Sequence, residues 1–141
     1  MYAIDADVVI DVGTRQPRFW QSSTELLEKM QGSGLCICPV VYVQIAPTCN
    51  GNLERIESFL RMSGIEVDPF NQMDQRLAAQ TWSSYALRRK LTPQDLREKR
   101  PAADLIIGAH AMRHEGLITR NERHFERIFP LLNLVTPEKV R

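Results

Sequence analysis

The sequence predicts an α/β sandwich, a mainly parallel central sheet with helices packed around it. Three observations lead there. Short β-branched segments alternate with segments of helical periodicity, glycine or proline punctuates the junctions, and no internal repeat or low-complexity stretch interrupts the order. With 141 residues, 43% hydrophobic and 25% charged, the chain has the size and composition of an ordinary globular domain, and a single domain over residues 1–141 is expected.

The elements follow in order. Residues 2–10 read as a buried strand interrupted by acids, because Ile4, Val8, Val9 and Ile10 are β-branched and the run is short for a free-standing helix. Ser22 and Glu25 have the S-x-x-E spacing of a capping box, Leu26, Leu27 and Met30 follow at helical spacing, and Gly32 and Gly34 supply a stop, so a helix is expected over 23–31. A second strand covers 35–38. Pro39 then stands at the first position of a short helix over 40–46, which Pro47 closes. Leu53, Ile56, Phe59 and Leu60 form one apolar face of a helix over 52–63 that Gly64 ends, and 65–67 is a third strand. Leu77, Ala78, Thr81, Trp82 and Tyr85 mark a longer helix over 73–90. Thr92 caps a short turn that has Pro93 at its first position, and Pro101 resets the chain. Residues 102–115 read as a helix buried mostly at its start and stopped by Gly116. The strands 117–119 and 134–135, with a short helix near 122–128 between them, complete the order.

Several function classes drop out. The composition excludes disordered and collagenous chains. No apolar run reaches the roughly 18 residues of a membrane span, because Asp5, Asp7 and Asp11 break one candidate and Asp104 and His110 the other. No basic stretch precedes the first apolar run, so a cytoplasmic protein without a membrane partner is expected. Cys36, Cys38 and Cys49 are odd in number and form no C-x-x-C pair, which argues against a disulfide framework and a zinc ribbon; Cys36 and Cys38 read as core. P-loop, dinucleotide and serine-hydrolase motifs are missing. The net charge of +1 hides an asymmetry. Residues 1–70 carry 5 basic and 9 acidic side chains, and 71–141 carry 13 basic and 8 acidic. An acidic focus beside a basic rim suits a metal-dependent enzyme acting on a polyanion, and two solvated faces would read the same way.

In an open α/β sheet ligands sit beyond the carboxyl ends of the strands, so acids at those ends are the first candidates. Asp5 stands inside a run that reads as core, where a carboxylate is costly unless it is paired, hydrogen-bonded or bound to a cation. Asp7 would share its face in a regular strand, and Asp11 could cap the next turn. Asp104 is the one acid in the apolar opening of the 102–115 helix, and Thr119, Arg120, Asn121 and Glu122 leave another strand end. Each has a plainer account, as a helix-capping acid, a dipole-favoured acid and a polar turn respectively. His110 and His114 have the H-x-x-x-H spacing that can grip a metal. Glu does not follow His110, and no third ligand is apparent from spacing, so zinc is set aside.

Taken together, three segments resemble the PIN domain, the small nuclease fold typified by the VapC toxins of bacterial toxin–antitoxin pairs. Residues 4–11, Ile-Asp-Ala-Asp-Val-Val-Ile-Asp, are similar to its opening D-[TA]-[NS]-V-[LI]. Residues 103–111 are similar to its A-D-x-x-I-A-A-x-A, and Leu117 to Asn121 to its L-x-T-x-[DN]. The resemblance covers nearly the whole chain. It implies a three-layer sandwich and an endoribonuclease whose carboxylates hold Mg²⁺ or Mn²⁺, with RNA as substrate, a cognate antitoxin as partner and a homodimer as assembly. By position Asp5 and Asp104 become the metal-binding acids. Gln44 stands where the family usually has Glu, and the late acid meets Asn121 or His124, so two of four usual acids are absent. Catalytic positions are thus Asp5, Asp104, Gln44 and Asn121, with Asp7 and Glu122 as sources of returned negative charge. Arg120 and Arg123, with Arg88, Arg89 and Lys90 behind them, are the phosphate contacts the resemblance suggests. Because a hard cation prefers anionic oxygen, the amides weaken the site. A degenerate PIN domain that binds RNA or protein with little or no cleavage is the alternative, and an unrelated α/β domain whose acids are ordinary caps is a third.

Overall fold

The computed structural model describes residues 1–99 and 102–137. Five strands, β1 (Tyr2–Ile4), β2 (Leu35–Ile37), β3 (Ile65–Val67), β4 (Gly116–Ile118) and β5 (Leu134–Val135), form one parallel sheet in the order β3-β2-β1-β4-β5. The helices that flank it among the described residues are α1 (Ala6–Gly13), α2 (Trp20–Met30), α3 (Pro39–Ile45), α4 (Leu53–Met62), α5 (Gln72–Arg88), α6 (Pro93–Glu98), α7 (Ala103–Ala111) and α8 (Glu122–Ile128). The predicted α/β class and its parallel sheet are therefore present. Ala3, Ile4, Cys36, Ile37, Leu117 and Ile118 are buried on both faces of the three inner strands, as a parallel sheet covered by helices requires. Among the described residues, no helix is long and apolar enough to cross a membrane.

The first element departs most from expectation. The strand ends at Ile4, and residues 6–13 are helical, because the Asp5 carboxylate accepts the Ala6 N–H and caps the turn. In the apolar run that follows, Val8 and Val9 are buried and Ile10 is half-buried, so its periodicity does not separate a buried strand from a buried helix. Asp7 consequently lies in the first turn of α1 and does not share a strand face with Asp5. The second helix also begins earlier, at Trp20. Its first position follows Phe19, which offers no side-chain cap, and Ser22 sits inside the helix with its hydroxyl donated to the Phe19 carbonyl, so no capping box forms there.

Elsewhere the local chemistry matches the elements closely. Pro39 opens α3, Asn52 caps α4, and Thr92 with Asp95 forms a reciprocal capping box on α6. Pro101 lies outside the described residues. The helix expected over 102–115 stops at Ala111, and its burial runs opposite to expectation: Asp104 is partly exposed, whereas residues 107–111 are buried. Gly108 lets α7 approach Phe129, because a Cβ there would fall 2.3 Å from the ring.

Candidate functional site

The strand order turns at β1. From it the chain builds outward through β2 and β3 on one side and through β4 and β5 on the other, and the crevice beyond the carboxyl ends of β1 and β4 is the topological switch point. Asp5 follows β1 directly and Thr119 follows β4. The Asp5 N–H bonds the Ile118 carbonyl at 2.9 Å and the Thr119 hydroxyl donates to Asp5 Oδ2 at 2.8 Å, while Oδ1 accepts from Ala6 N at 2.8 Å. Thr119 Oγ1 accepts in turn from Asn121 N at 3.0 Å. Thr119, 114 positions along the chain from Asp5, thus helps hold its carboxylate in a fixed orientation.

Asp5 is only 6% exposed. Burial, then the negative charge of Asp7, then that of Asp104, push its carboxyl up to about 7 against the lowering from the Thr119 and Ala6 hydrogen bonds. Burial also raises Asp7, opposed by the N–H and the charge of Arg120. Asp7 Oδ2 accepts from Arg120 N at 3.0 Å and Oδ1 from Val8 N at 2.7 Å. Three acids therefore share a partly desolvated crevice and repel one another there. A hard divalent cation coordinated by oxygen removes both penalties, so these residues fit Mg²⁺ or Mn²⁺.

Arg120 supplies only part of the missing positive charge. Its Nε and Nη2 donate to the two oxygens of buried Asp11 at 2.6 and 3.1 Å, and its guanidinium lies 3.9 Å from the centre of the Phe19 ring. Asp11, expected as a cap, is instead one half of this bidentate pair, and the phosphate contact expected of Arg120 meets a guanidinium already engaged along one edge by Asp11 and on one face by Phe19. Arg123 is exposed.

Asp104, in the first turn of α7, is close enough for its charge to act on Asp5, and His124 Nε2 of α8 lies 3.1 Å from Asp104 Oδ2. An imidazole therefore meets the acid where the resemblance places a late carboxylate. Asn121 reaches the crevice through its backbone N–H, and its exposed side chain makes no cap bond on α8. Glu122 is exposed and accepts from the Thr136 hydroxyl at 3.3 Å. Gln44 is exposed on α3, and no hydrogen bond joins its side chain to the acids. The structure thus gathers Asp7, Asp104 and Thr119 around Asp5, with Asn121 at the rim, and leaves Gln44 with no hydrogen bond to them among the described residues. The roles of Thr119 and His124 were not apparent from the sequence as positioning partners, although both lie in or beside the polar segment that leaves β4.

A family model for the PIN domain matches residues 2–129. Among solved structures, VapBC2 from Rickettsia felis, bound to a DNA fragment from its promoter, is similar with a TM-score of 0.71 at 20% identity, covering 97% of this chain and 98% of that one. DNA-bound VapBC from Salmonella typhimurium has a TM-score of 0.70 at 23% identity, with 96% of each chain covered. A toxin–antitoxin complex from Klebsiella pneumoniae follows with 0.61 at 16%, covering 99% of this chain and 100% of that one. No curated protein matches in sequence. At these identities the structural likeness is one of fold, while the family match spans the segments bearing Asp5, Asp104 and Thr119. The chain belongs to the PIN domain family.

Proposed function

We propose that the chain is a divalent-metal-dependent endoribonuclease of the PIN type and the toxin of a toxin–antitoxin pair. The observation that carries this reading is the surplus of negative charge at the switch point, where buried Asp5 is held beside Asp7 and Asp104. Asp5 and Asp104 would hold Mg²⁺ or Mn²⁺, which supplies a bound water of lowered pKa and charge stabilisation at the scissile phosphorus. Thr119 orients the Asp5 carboxylate, and the Arg120 N–H orients that of Asp7. Arg123 is free of the Asp11 pair and contacts backbone phosphates of the RNA. The toxin–antitoxin complexes among the structural neighbours support a cognate antitoxin as partner. The same reading makes the chain a single cytoplasmic domain that assembles as a homodimer.

One observation favours a second reading. Asn121 carries no charge, Gln44 is not joined to the acids, and an imidazole occupies the neighbourhood of Asp104, so fewer carboxylates are available than a strong metal site employs. A degenerate PIN domain that binds RNA or protein without cutting it fits that count. Incubating a mixed RNA pool with wild type and Asp104→Asn, with Mn²⁺, Mg²⁺ or a chelator, separates the two. Metal-dependent cleavage lost in the variant is expected. An intact RNA pool with wild type and millimolar-scale Mn²⁺ would refute the nuclease and leave the binding module.

A further inference from the structure

The second half of α7 carries a different constellation. One ligand atom from each of Cys36, Asp68, His110 and His114 lies within 4.8 Å of every other. Cys36 comes from the middle of β2, Asp68 follows β3, His110 lies near the end of α7, and His114 sits in the turn after it with its N–H on the Ala111 carbonyl. Asp68 Oδ2 is 3.0 Å from His110 Nε2 and 2.9 Å from His114 Nε2, and the two imidazole centres are 4.9 Å apart. His110 has no solvent exposure, and its Nδ1 has no hydrogen-bond partner among the described residues.

We propose that Cys36, Asp68, His110 and His114 form a structural zinc site, separate from the acidic crevice. A thiolate, a carboxylate and two imidazoles make a four-ligand set suited to tetrahedral Zn²⁺, whose ligand atoms stand roughly 3.3–3.8 Å apart for bonds of about 2.0–2.3 Å. The observed group needs adjustments of a few tenths of an ångström at Asp68 and modest closure elsewhere. Mg²⁺ and Mn²⁺ favour oxygen donors, so the two clusters select different ions.

Charge balance accommodates the ion. Arg113 donates to Asp68 Oδ2 at 2.8 Å and also holds Asp74 through Nε at 3.0 Å and Nη2 at 2.9 Å. One guanidinium thus faces two carboxylates. Adding Zn²⁺ forms the Zn–Sγ bond as the Cys36 thiol proton leaves to solvent, with no change of oxidation state, and the group becomes neutral overall. Arg113 keeps its bidentate contact with Asp74 when Asp68 turns to the ion. Cys36 and His110 are fully buried, whereas Asp68 and His114 are partly open, which gives the ion an entry route. The ion would tie β2, the end of β3 and the end of α7 together. Asp104 is six residues before His110, about 9 Å along the helix, so the staple would steady the element that presents it without belonging to the same site.

The test uses the full chain with metal alone. Purified protein stripped of metal is titrated with Zn²⁺ and with Co²⁺, following bound metal by elemental analysis and Co²⁺ by absorption. About one equivalent of Zn²⁺ per chain is expected, together with a thiolate-to-Co²⁺ charge-transfer band, both retained in Asp5→Asn and resistant to excess Mg²⁺. Cys36→Ser should abolish the band, and His114→Gln, at the open side of the group, should weaken zinc binding more than tenfold. Wild type is decisive even where a variant fails to fold. Absence of the charge-transfer band in wild type at micromolar Co²⁺, or zinc binding lost in Asp5→Asn but kept in Cys36→Ser and His114→Gln, would overturn the proposal.

Discussion

Replacing Asp5 with Asn removes a buried charge while nearly preserving shape, and its effect on stability depends on pH in a defined direction. In the folded protein burial and the neighbouring acids keep the Asp5 proton bound up to about 7, against an ordinary value of 3.8 in the unfolded chain. Over the window between those values the folded state binds more proton than the unfolded one. Stability contributed by this group is therefore complete below about pH 4 and is lost as pH rises towards and through 7. Between pH 5 and pH 8 the linkage amounts to about 3 kcal/mol that wild type loses and Asp5→Asn does not. The variant keeps an acceptor for the Ala6 N–H, but its amide forces the Thr119 hydroxyl to accept where it now donates, a cost on the order of 1 kcal/mol that is independent of pH. Urea unfolding of both proteins at pH 5 and pH 8 without divalent metal measures the difference. Asp5→Asn should gain on wild type by about 3 kcal/mol from the lower pH to the higher. Saturating Mn²⁺ at pH 8 should return most of the lost stability to wild type, roughly 2.7 kcal/mol at a hundredfold excess over Kd, and little to the variant. A wild-type-minus-variant difference that is flat from pH 5 to pH 8 would refute the placement of a strained carboxylate at the switch point.

Arg120→Ala strips the partner from buried Asp11 and the cover from Phe19, so a loss of roughly 3 kcal/mol in urea unfolding is expected, far beyond the cost of an exposed arginine. Gly108→Ala gains helix propensity of up to about 1 kcal/mol but drives a methyl to within 2.3 Å of the buried Phe129 ring, so a net loss of about 1–3 kcal/mol should appear in the same assay. Asn121→Asp and Gln44→Glu each add one negative charge with little change of shape. Mn²⁺ affinity by calorimetric titration should rise in Asn121→Asp, at the rim of the crevice, and change little in Gln44→Glu, whose side chain is not joined to the acids; unchanged affinity in Asn121→Asp would remove that residue from the metal site.

What the sequence determined by itself is local. The alternation of short β-branched runs with helical periodicity specified an α/β order, and Pro39 and Thr92 mark helix starts because each satisfies or spares backbone donors within four residues. The oddity of a carboxylate at Asp5 and another at Asp104 was also legible, since an acid in an apolar run demands a partner whatever the fold. The boundary after Ile4 was not, because a short apolar run that is buried or half-buried throughout carries no clear period that distinguishes strand from helix. Nor was the start of α2, where Phe19 offers no capping side chain. The partners came only from tertiary structure. Asp5 meets Thr119 because β1 and β4 are neighbours in the sheet, Asp11 meets Arg120 across 109 residues, and Cys36 and Asp68, on or just after the neighbouring strands β2 and β3, join His110 and His114 at the end of α7. Propensity and capping act over a few residues of chain, whereas strand order and helix packing decide which distant side chains share one desolvated space, and the chemistry of this protein lies in those shared spaces.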